Sequence, residues 1–122
     1  MKTMEGLDIY DYNGPDFQVV HSFGAWRVAY LRQSERFTPE GMTQMERHME
    51  TDEIFVLLQG KATLLLGEEI VPQEMEIGKV YNIRKAVWHN ILVSEDAKVL
   101  VVENTDTVAE NSEYFPAKAP KI

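Results

Sequence analysis

The chain has 122 residues, a length typical of one domain that can bury its own hydrophobic core. It contains no cysteine, which excludes disulfide bonds and thiolate metal sites, so a bound metal would need histidine, carboxylate, backbone or water ligands. Twenty acidic residues against twelve basic ones give a formal net charge of −8, which argues against nucleic acid as a partner. We therefore expect residues 1–122 to form a single domain.

The N-terminal sequence MKTMEGLDIYDYNG carries early charges and lacks the apolar segment of a secretory signal. No stretch approaches the roughly 20 apolar residues that cross a bilayer. These features predict a cytoplasmic protein that has no membrane partner.

Short apolar segments bounded by turn residues recur along the chain, and they are rich in β-branched and aromatic residues. They predict β-strands over 17–20, 25–31, 53–58, 61–66, 79–83, 89–93 and 98–102. Residues 41–50 place three methionines at helical spacing, but we predict an extended segment there as well. The pattern indicates an all-β protein with a barrel over about 17–103 and an irregular C-terminal tail over 104–122.

The central segments EIFVLLQ and KATLLLG predict a hairpin that turns at Gln59 and Gly60. The first strand is apolar on both faces, as is the later segment KVLVVEN. A sheet with two apolar faces must be covered twice. We therefore expect one face to lie inside the barrel and the other to contact a second layer or a second subunit, and we predict a homodimer.

A first group of candidate functional residues lies in ERHMETDEIFVLLQG. Glu46 and His48 are two residues apart, so on a strand they share a face. Glu53 follows His48 by five residues, an odd offset that requires a turn or bulge in between to bring it to the same side.

A second group lies in GKVYNIRKAVWHN, where His89 precedes a predicted strand. Two histidines and a carboxylate suit iron, manganese, zinc or nickel. The alternative for each histidine is a hydrogen-bonded structural role. Trp88 precedes His89 directly and should point to the opposite side, where it packs. The other aromatic residues predicted to fill the barrel are Trp26, Tyr30, Phe55 and Tyr81.

The first segment resembles motif one of the cupin superfamily, which runs Gly, five residues, His, any residue, His, three or four residues, Glu, six residues, Gly. His48, four residues, Glu53, six residues and Gly60 match its second half, whereas Glu46 stands at the first histidine. An alternative register with three residues before the glutamate would put Met49 in place of His48.

The second segment resembles cupin motif two, which runs Gly, five residues, Pro, any residue, Gly, two residues, His. Gly78 and His89 keep the outer spacing, while Arg84 replaces the proline and Ala86 replaces the second glycine. The two motifs together span about residues 41–89, at a separation similar to that of small bacterial cupins.

The resemblance implies a double-stranded β-helix, or jelly-roll, barrel with a pocket at its mouth. It implies His48, Glu53 and His89 as ligands of a divalent metal (Fe, Mn, Zn or Ni), and Glu53 or Glu46 as the catalytic group that handles protons. Glu46 is either a further ligand or a surface acid. A small polar metabolite would be the ligand, and isomerase, lyase and dioxygenase chemistry all stay open. The alternative is a metal-free, non-catalytic binding or sensing module, which the replacement at Glu46 favours.

Overall fold

The computed structural model describes residues 2–121, which are almost entirely β. In chain order the strands are β1 (Lys2–Met4), β2 (Leu7–Ile9), β3 (Phe17–Phe23), β4 (Trp26–Leu31), β5 (Gln44–His48), β6 (Glu53–Gln59), β7 (Ala62–Leu66), β8 (Val71–Glu74), β9 (Val80–Ile83), β10 (His89–Val93), β11 (Lys98–Asn104) and β12 (Ser112–Pro116). Two 3-10 helices, Glu35–Phe37 and Ala109–Asn111, interrupt them. Within residues 2–121, no helix has the length and hydrophobicity to span a membrane.

Two five-stranded antiparallel sheets face each other. Sheet I has the strand order β3-β4-β11-β6-β9, and sheet II has the order β12-β5-β10-β7-β8. Strands β1 and β2 pair with each other as a separate two-stranded sheet. Each of the seven predicted strands coincides with an observed one, and residues 44–48 are extended as predicted, so the all-β prediction is confirmed.

The predicted hairpin at Gln59 and Gly60 is wrong. Strand β6 pairs with β11 and β9, whereas β7 pairs with β10 and β8, so Gly60 carries the chain from one sheet to the other. Gly60 has a φ of 77°, and a Cβ at this position would lie 2.7 Å from the Cα of Ala97. Two apolar strands that flank a turn can pair with each other in one sheet or lie in two stacked sheets. The sequence pattern does not distinguish these arrangements, which is why the hairpin prediction was wrong.

The main core fills the space between the sheets. Phe55 and Leu57 from β6 meet Leu64 from β7 there, beside Val99 and Val101 from β11. These side chains alternate with half-buried ones along their strands, as strand geometry requires. The two layers are therefore joined by side-chain packing rather than by hydrogen bonds.

The outer face of sheet II is covered by the chain's own C-terminal segment. Met45 and Leu65 are fully buried on this face, where Trp88 and Phe115 pack beside them and Ala117 and Ala119 from the segment after β12 pack against the cluster. The prediction of an irregular tail over 104–122 is therefore wrong for Ser112–Pro116, which forms β12 and pairs with β5. Its polar residues concealed the strand, because β12 is an exposed edge that buries little of its own surface.

The outer face of sheet I carries few charges, chiefly Lys98 of β11, whose ammonium lies 4.8 Å from the centroid of the Tyr30 ring and pairs with Asp11. Two rows of outward side chains cross its five strands, namely Gln18, Tyr30, Leu100, Val56 and Val80, and His21, Val28, Val102, Ile54 and Asn82. None of them is Asp, Glu, Lys or Arg, although a quarter of the chain is charged. Trp26 and Tyr30 lie on this side, with Trp26 45% exposed, so the prediction that they fill the barrel is wrong.

Candidate metal and ligand site

A cavity of about 260 Å³ opens between the two sheets. This volume is near the lower end of the range found for small-molecule sites. Its apolar lining is formed by Phe17, Leu31, Phe37, Phe55, Ile91 and Val108. The polar lining includes Glu46, His48, Glu53 and His89, so the structure brings together all four residues that the sequence singles out.

Sheet II supplies three of these residues. Glu46 and His48 point to the same side of β5, as their spacing predicts, while Arg47 between them points outward onto the Trp88 ring. His89 begins the neighbouring strand β10 directly opposite Glu46. One nitrogen or oxygen atom from each of Glu46, His48 and His89 lies within 4.8 Å of the others.

Sheet I supplies Glu53, the first residue of β6. The odd offset from His48 is resolved because residues 49–52 carry the chain across to the opposing sheet, whose inward face meets that of sheet II. The Asp52 carboxylate fixes this crossing by accepting hydrogen bonds from the backbone N–H of Lys85, at 2.8 Å, and from the side chain of Asn82, at 3.1 Å.

The four side chains converge on a small volume. Glu53 Oε1 lies 3.1 Å from His89 Nε2 and 3.3 Å from His48 Nε2. Glu46 Oε1 lies 4.0 Å from each of the same two nitrogens. Both histidines and Glu53 are buried, whereas the Glu46 side chain is 35% exposed. Glu46 is thus the member of the group that meets the open part of the cavity.

Hydrogen bonds at the far side of each ring determine which nitrogen faces the cavity. His89 Nδ1 donates to the carbonyl oxygen of Val87 at 3.0 Å. His48 Nδ1 lies 2.8 Å from the hydroxyl of Ser112, which itself donates to the carbonyl oxygen of Val108 and must therefore accept from the ring. Both rings therefore carry a proton on Nδ1, and both Nε2 atoms point towards Glu53.

Sequence comparison matches the chain to no family model and to no curated protein. Among solved structures, it is similar to a cupin-2 domain protein from Shewanella frigidimarina, with 18% identity, a TM-score of 0.60, and coverage of 76% of this chain and 84% of the other. It is also similar to an RmlC-like cupin family protein with a double-stranded β-helix fold from Methanocaldococcus jannaschii, with 12% identity, a TM-score of 0.61, and coverage of 80% and 90%. The chain has the cupin fold.

A third similar structure is that of KdgF from a Halomonas species, with 14% identity, a TM-score of 0.56, and coverage of 78% of this chain and 86% of KdgF. The predicted jelly-roll architecture is thereby confirmed. At identities this low the likeness concerns the fold alone, so the chemistry of the site must be argued from its own residues.

The second cupin motif shapes the approach to His89. Ala86 has a φ of 64°, in the left-handed region that favours glycine, and it stands where the motif has glycine. Its N–H donates to the carbonyl oxygen of His48 at 2.7 Å, which ties the loop before His89 to the end of β5. The backbone conformation of the motif is therefore retained without its glycine.

The residues that line the cavity show whether His48 or Met49 occupies the second histidine position of motif one. His48 is buried and lines it, whereas Met49, the alternative occupant of that position, is 36% exposed and is not among the residues that line it. Trp88 points away from the cavity as predicted and packs edge-on against Phe115, with ring centroids 4.7 Å apart.

Sequence reasoning missed an ion pair beside Glu53. Arg27 on β4 and Glu103 on β11 are cross-strand partners, and the guanidinium binds the carboxylate and the carbonyl oxygen of Thr107. Both residues line the cavity. The alternation in KVLVVEN could have predicted this pair. Val99, Val101 and Glu103 share one face of the strand, and a carboxylate on an apolar face needs a buried partner.

Charges inside the site shift three pKa values. Burial tends to raise the pKa of Glu53, but hydrogen bonds from His48 and His89 outweigh it and hold that pKa well below its usual range. Burial tends to lower the pKa of His89, yet the hydrogen bond and charge of Glu53 raise it. Burial, together with the neighbouring Glu53, raises the pKa of Glu103 to about 8 against the opposing effect of Arg27.

Proposed function

We propose that this chain is a cupin that binds a divalent metal, iron, manganese, zinc or nickel, through His48, Glu53, His89 and Glu46, and that it holds a small polar metabolite in the adjoining cavity. The observation that carries this proposal is the arrangement of the two imidazoles. Each has its Nδ1 committed to an acceptor, so each Nε2 is directed at the same carboxylate oxygen.

The donor set fits such an ion. Neutral imidazole and carboxylate together suit the first-row divalent metals, and metal-bound histidines normally donate their other ring N–H to an acceptor. The Val87 carbonyl and the Ser112 hydroxyl provide those acceptors. The carboxylate of Glu46 has room to approach as a fourth ligand, since it lies 4.0 Å from both Nε2 atoms.

Glu53 and Glu46 have different roles in the proposed chemistry. When bound, the metal would supply Lewis acidity and orient an enolisable or oxygen-reactive substrate, which covers isomerase, lyase and dioxygenase reactions. Glu53 is buried between both imidazoles and would act mainly by holding the ligand set. Glu46 is partly exposed at the cavity surface and is the carboxylate better placed to take a proton from a bound metabolite.

A metal-free binding or sensing module is the second candidate function. It is favoured by the contacts of Glu53 Oε1, which lies within 3.3 Å of both Nε2 atoms and can satisfy two protonated imidazoles without an ion. The two candidates differ in what occupies the space between these three side chains, a metal or protons, and metal analysis separates them.

The test is metal content per chain, measured by plasma mass spectrometry on protein purified without a histidine tag and then incubated with iron, manganese, zinc or nickel. We expect near-stoichiometric metal, a sharp loss in His48→Ala and in His89→Ala, and no loss in His21→Ala, which changes the remaining histidine on the outside of sheet I. Equal metal content in all four proteins would refute the site. No binding of any of these metals by the wild type would favour the metal-free module.

We also propose that the protein is a homodimer formed through the outer face of sheet I. The C-terminal segment covers the corresponding face of sheet II, whereas Val28, Val56 and Leu100 on sheet I are only half-buried. A second copy suits this face, because its two rows of outward side chains contain no Asp, Glu, Lys or Arg and so bring few like charges together in a chain whose net charge is −8.

Light scattering tests the dimer. We expect twice the chain mass for the wild type, a monomer for Val56→Glu, and an unchanged dimer for Val71→Glu, which places the same charge on an exposed valine of edge strand β8. Circular dichroism should show that both variants are folded. A monomeric wild type at micromolar concentration would contradict the proposal.

A further inference from the structure

Arg36 lies in the 3-10 helix Glu35–Phe37 and lines the cavity. Its guanidinium carbon is 4.5 Å from the centroid of the Phe37 ring, which is buried in the main core and forms part of the apolar cavity wall. A guanidinium stacked on a fixed ring has fewer orientations available, so the charge is held at the cavity surface.

Asp16 holds the same guanidinium from the outer side. Arg36 Nε donates to Asp16 Oδ1 at 2.8 Å, and the Ser34 hydroxyl donates to the same oxygen at 3.3 Å. Asp16 itself has a φ of 70°, a left-handed conformation that aspartate tolerates better than most residues. This contact uses only one of the three guanidinium nitrogens.

The two terminal nitrogens of Arg36 have no hydrogen-bond partner among residues 2–121. The second arginine of the cavity differs, because Arg27 is engaged by Glu103 and by the carbonyl oxygen of Thr107. The 58% exposure of the Arg36 side chain leaves its free edge accessible. Two parallel N–H groups on one edge match the two oxygens of a carboxylate.

A bound metal removes the net negative charge that would otherwise repel an anionic ligand from the cavity. Glu46, Glu53 and Glu103 bring three carboxyl groups, and Arg27 and Arg36 bring two positive charges. Arg36 is also paired with Asp16, so a divalent ion brings the sum of these charges from −2 to zero. A carboxylate, with one negative charge and a planar pair of oxygens, fits a single free guanidinium edge better than a phosphate dianion, which usually engages several donors.

We propose that the metabolite bound by this cavity is a small carboxylic acid whose carboxylate binds the free edge of Arg36, with its hydrocarbon part against the apolar wall and its remaining polar atoms towards the metal. This inference rests on the metal site of the proposed function and assigns Arg36 as the residue that selects for the acid.

Calorimetric titration of the zinc-loaded full chain tests the assignment. The probes are lactate, pyruvate and malonate, each paired with its amide, lactamide, pyruvamide or malonamide. We expect at least one acid to bind at least tenfold more tightly than its amide. Arg36→Gln should remove this preference while leaving amide binding and zinc stoichiometry unchanged. Arg32→Gln, which changes an arginine outside the cavity lining, should retain it.

The inference would be overturned if none of the three acids binds more tightly than its amide, if the preference survives in Arg36→Gln, or if inorganic phosphate binds more tightly than every acid. Zinc stoichiometry is read separately, so failure of the metal site is recognised by itself. If zinc does not bind, the same titrations are made on the metal-free protein. A preference for an acid over its amide that is lost in Arg36→Gln then supports the assignment of Arg36, and the absence of any such preference overturns it.

Discussion

The ring of His48 on β5 donates its Nδ1 proton to the hydroxyl of Ser112 on β12, across 2.8 Å. The two residues are directly opposite each other in the antiparallel pairing of these strands, although 64 positions separate them in the sequence. The C-terminal strand therefore does more than extend the edge of sheet II. It sets the orientation of an imidazole inside the cavity.

Ser112→Ala should weaken metal binding without removing it. The substitution deletes the acceptor that holds His48 Nδ1 and leaves all four proposed ligands in place. Loss of such a partner typically costs about 10- to 100-fold in metal affinity. Competition titration with a chromogenic chelator measures the change. Ser22→Ala, on an exposed part of β3, should bind zinc like the wild type, and equal affinity in both variants would remove the orienting role of Ser112.

Some residues of the site can be predicted from the sequence, and others cannot. His48, Glu53 and His89 were found because each belongs to a spaced motif, and Glu46 because strand alternation puts it beside His48. Ser112 carries no such signal, since a serine within a polar segment is compatible with any loop. Its role arises only from the pairing of β12 with β5, which is set by tertiary packing.

The strands themselves were predictable because their β-branched and aromatic residues have local preferences, but their partners were not. A turn containing glycine between two apolar strands predicts a hairpin, and here it instead joins the two sheets at Gly60. The close approach of Ala97 to Gly60 belongs to the β10–β11 connection, more than thirty residues away. No local pattern contains that contact.

Gly60→Ala should destabilise the protein more than Gly67→Ala. Both glycines are left-handed, with φ values of 77° and 78°, so each alanine should cost about 1–2 kcal/mol in backbone strain. At Gly67 the new Cβ meets open space, whereas at Gly60 it would lie 2.7 Å from the Cα of Ala97. Urea unfolding of the two variants measures the difference, and equal losses would show that the crossing turn relaxes freely.

Ala86→Gly should stabilise the protein. Glycine removes the left-handed strain of about 1–2 kcal/mol and gives back roughly 0.4–1 kcal/mol through the greater entropy of the unfolded chain. The expected gain is therefore on the order of 0.5–1 kcal/mol, seen as a higher urea midpoint at constant m-value. Ala25→Gly, at an exposed turn residue without a positive φ, should instead lose stability. A loss in both variants would contradict the strain at Ala86.

Metal binding should tighten as the pH rises through the pKa of His89. In the metal-free protein, burial lowers that pKa, but the hydrogen bond and charge of Glu53 overcome it and raise the value above 6.5. A metal must displace the proton from Nε2, so below this pKa the affinity should climb about tenfold per pH unit, and above it the affinity should level off. Zinc titrations between pH 5.5 and 8.5 measure the slope. His21→Ala should reproduce it, and a flat profile would exclude competition with a proton.

Glu103 should make the metal-free protein less stable at alkaline pH. Burial, followed by the proximity of Glu53, raises the pKa of Glu103 to about 8 from an ordinary value of 4.5. Between these values the unfolded chain has already released the proton while the folded chain still binds it, so the free energy of unfolding falls as the pH rises. Because relaxation and water entry reduce the cost of ionising a buried group, we expect only part of the full shift, a decrease on the order of 1–3 kcal/mol between pH 5 and pH 9. Glu103→Gln keeps the shape of the side chain without the titration, and thermal unfolding of this variant should depend much less on pH. If the stability of the wild type and of Glu103→Gln depends on pH in the same way, the proton on Glu103 does not contribute to the pH dependence of stability.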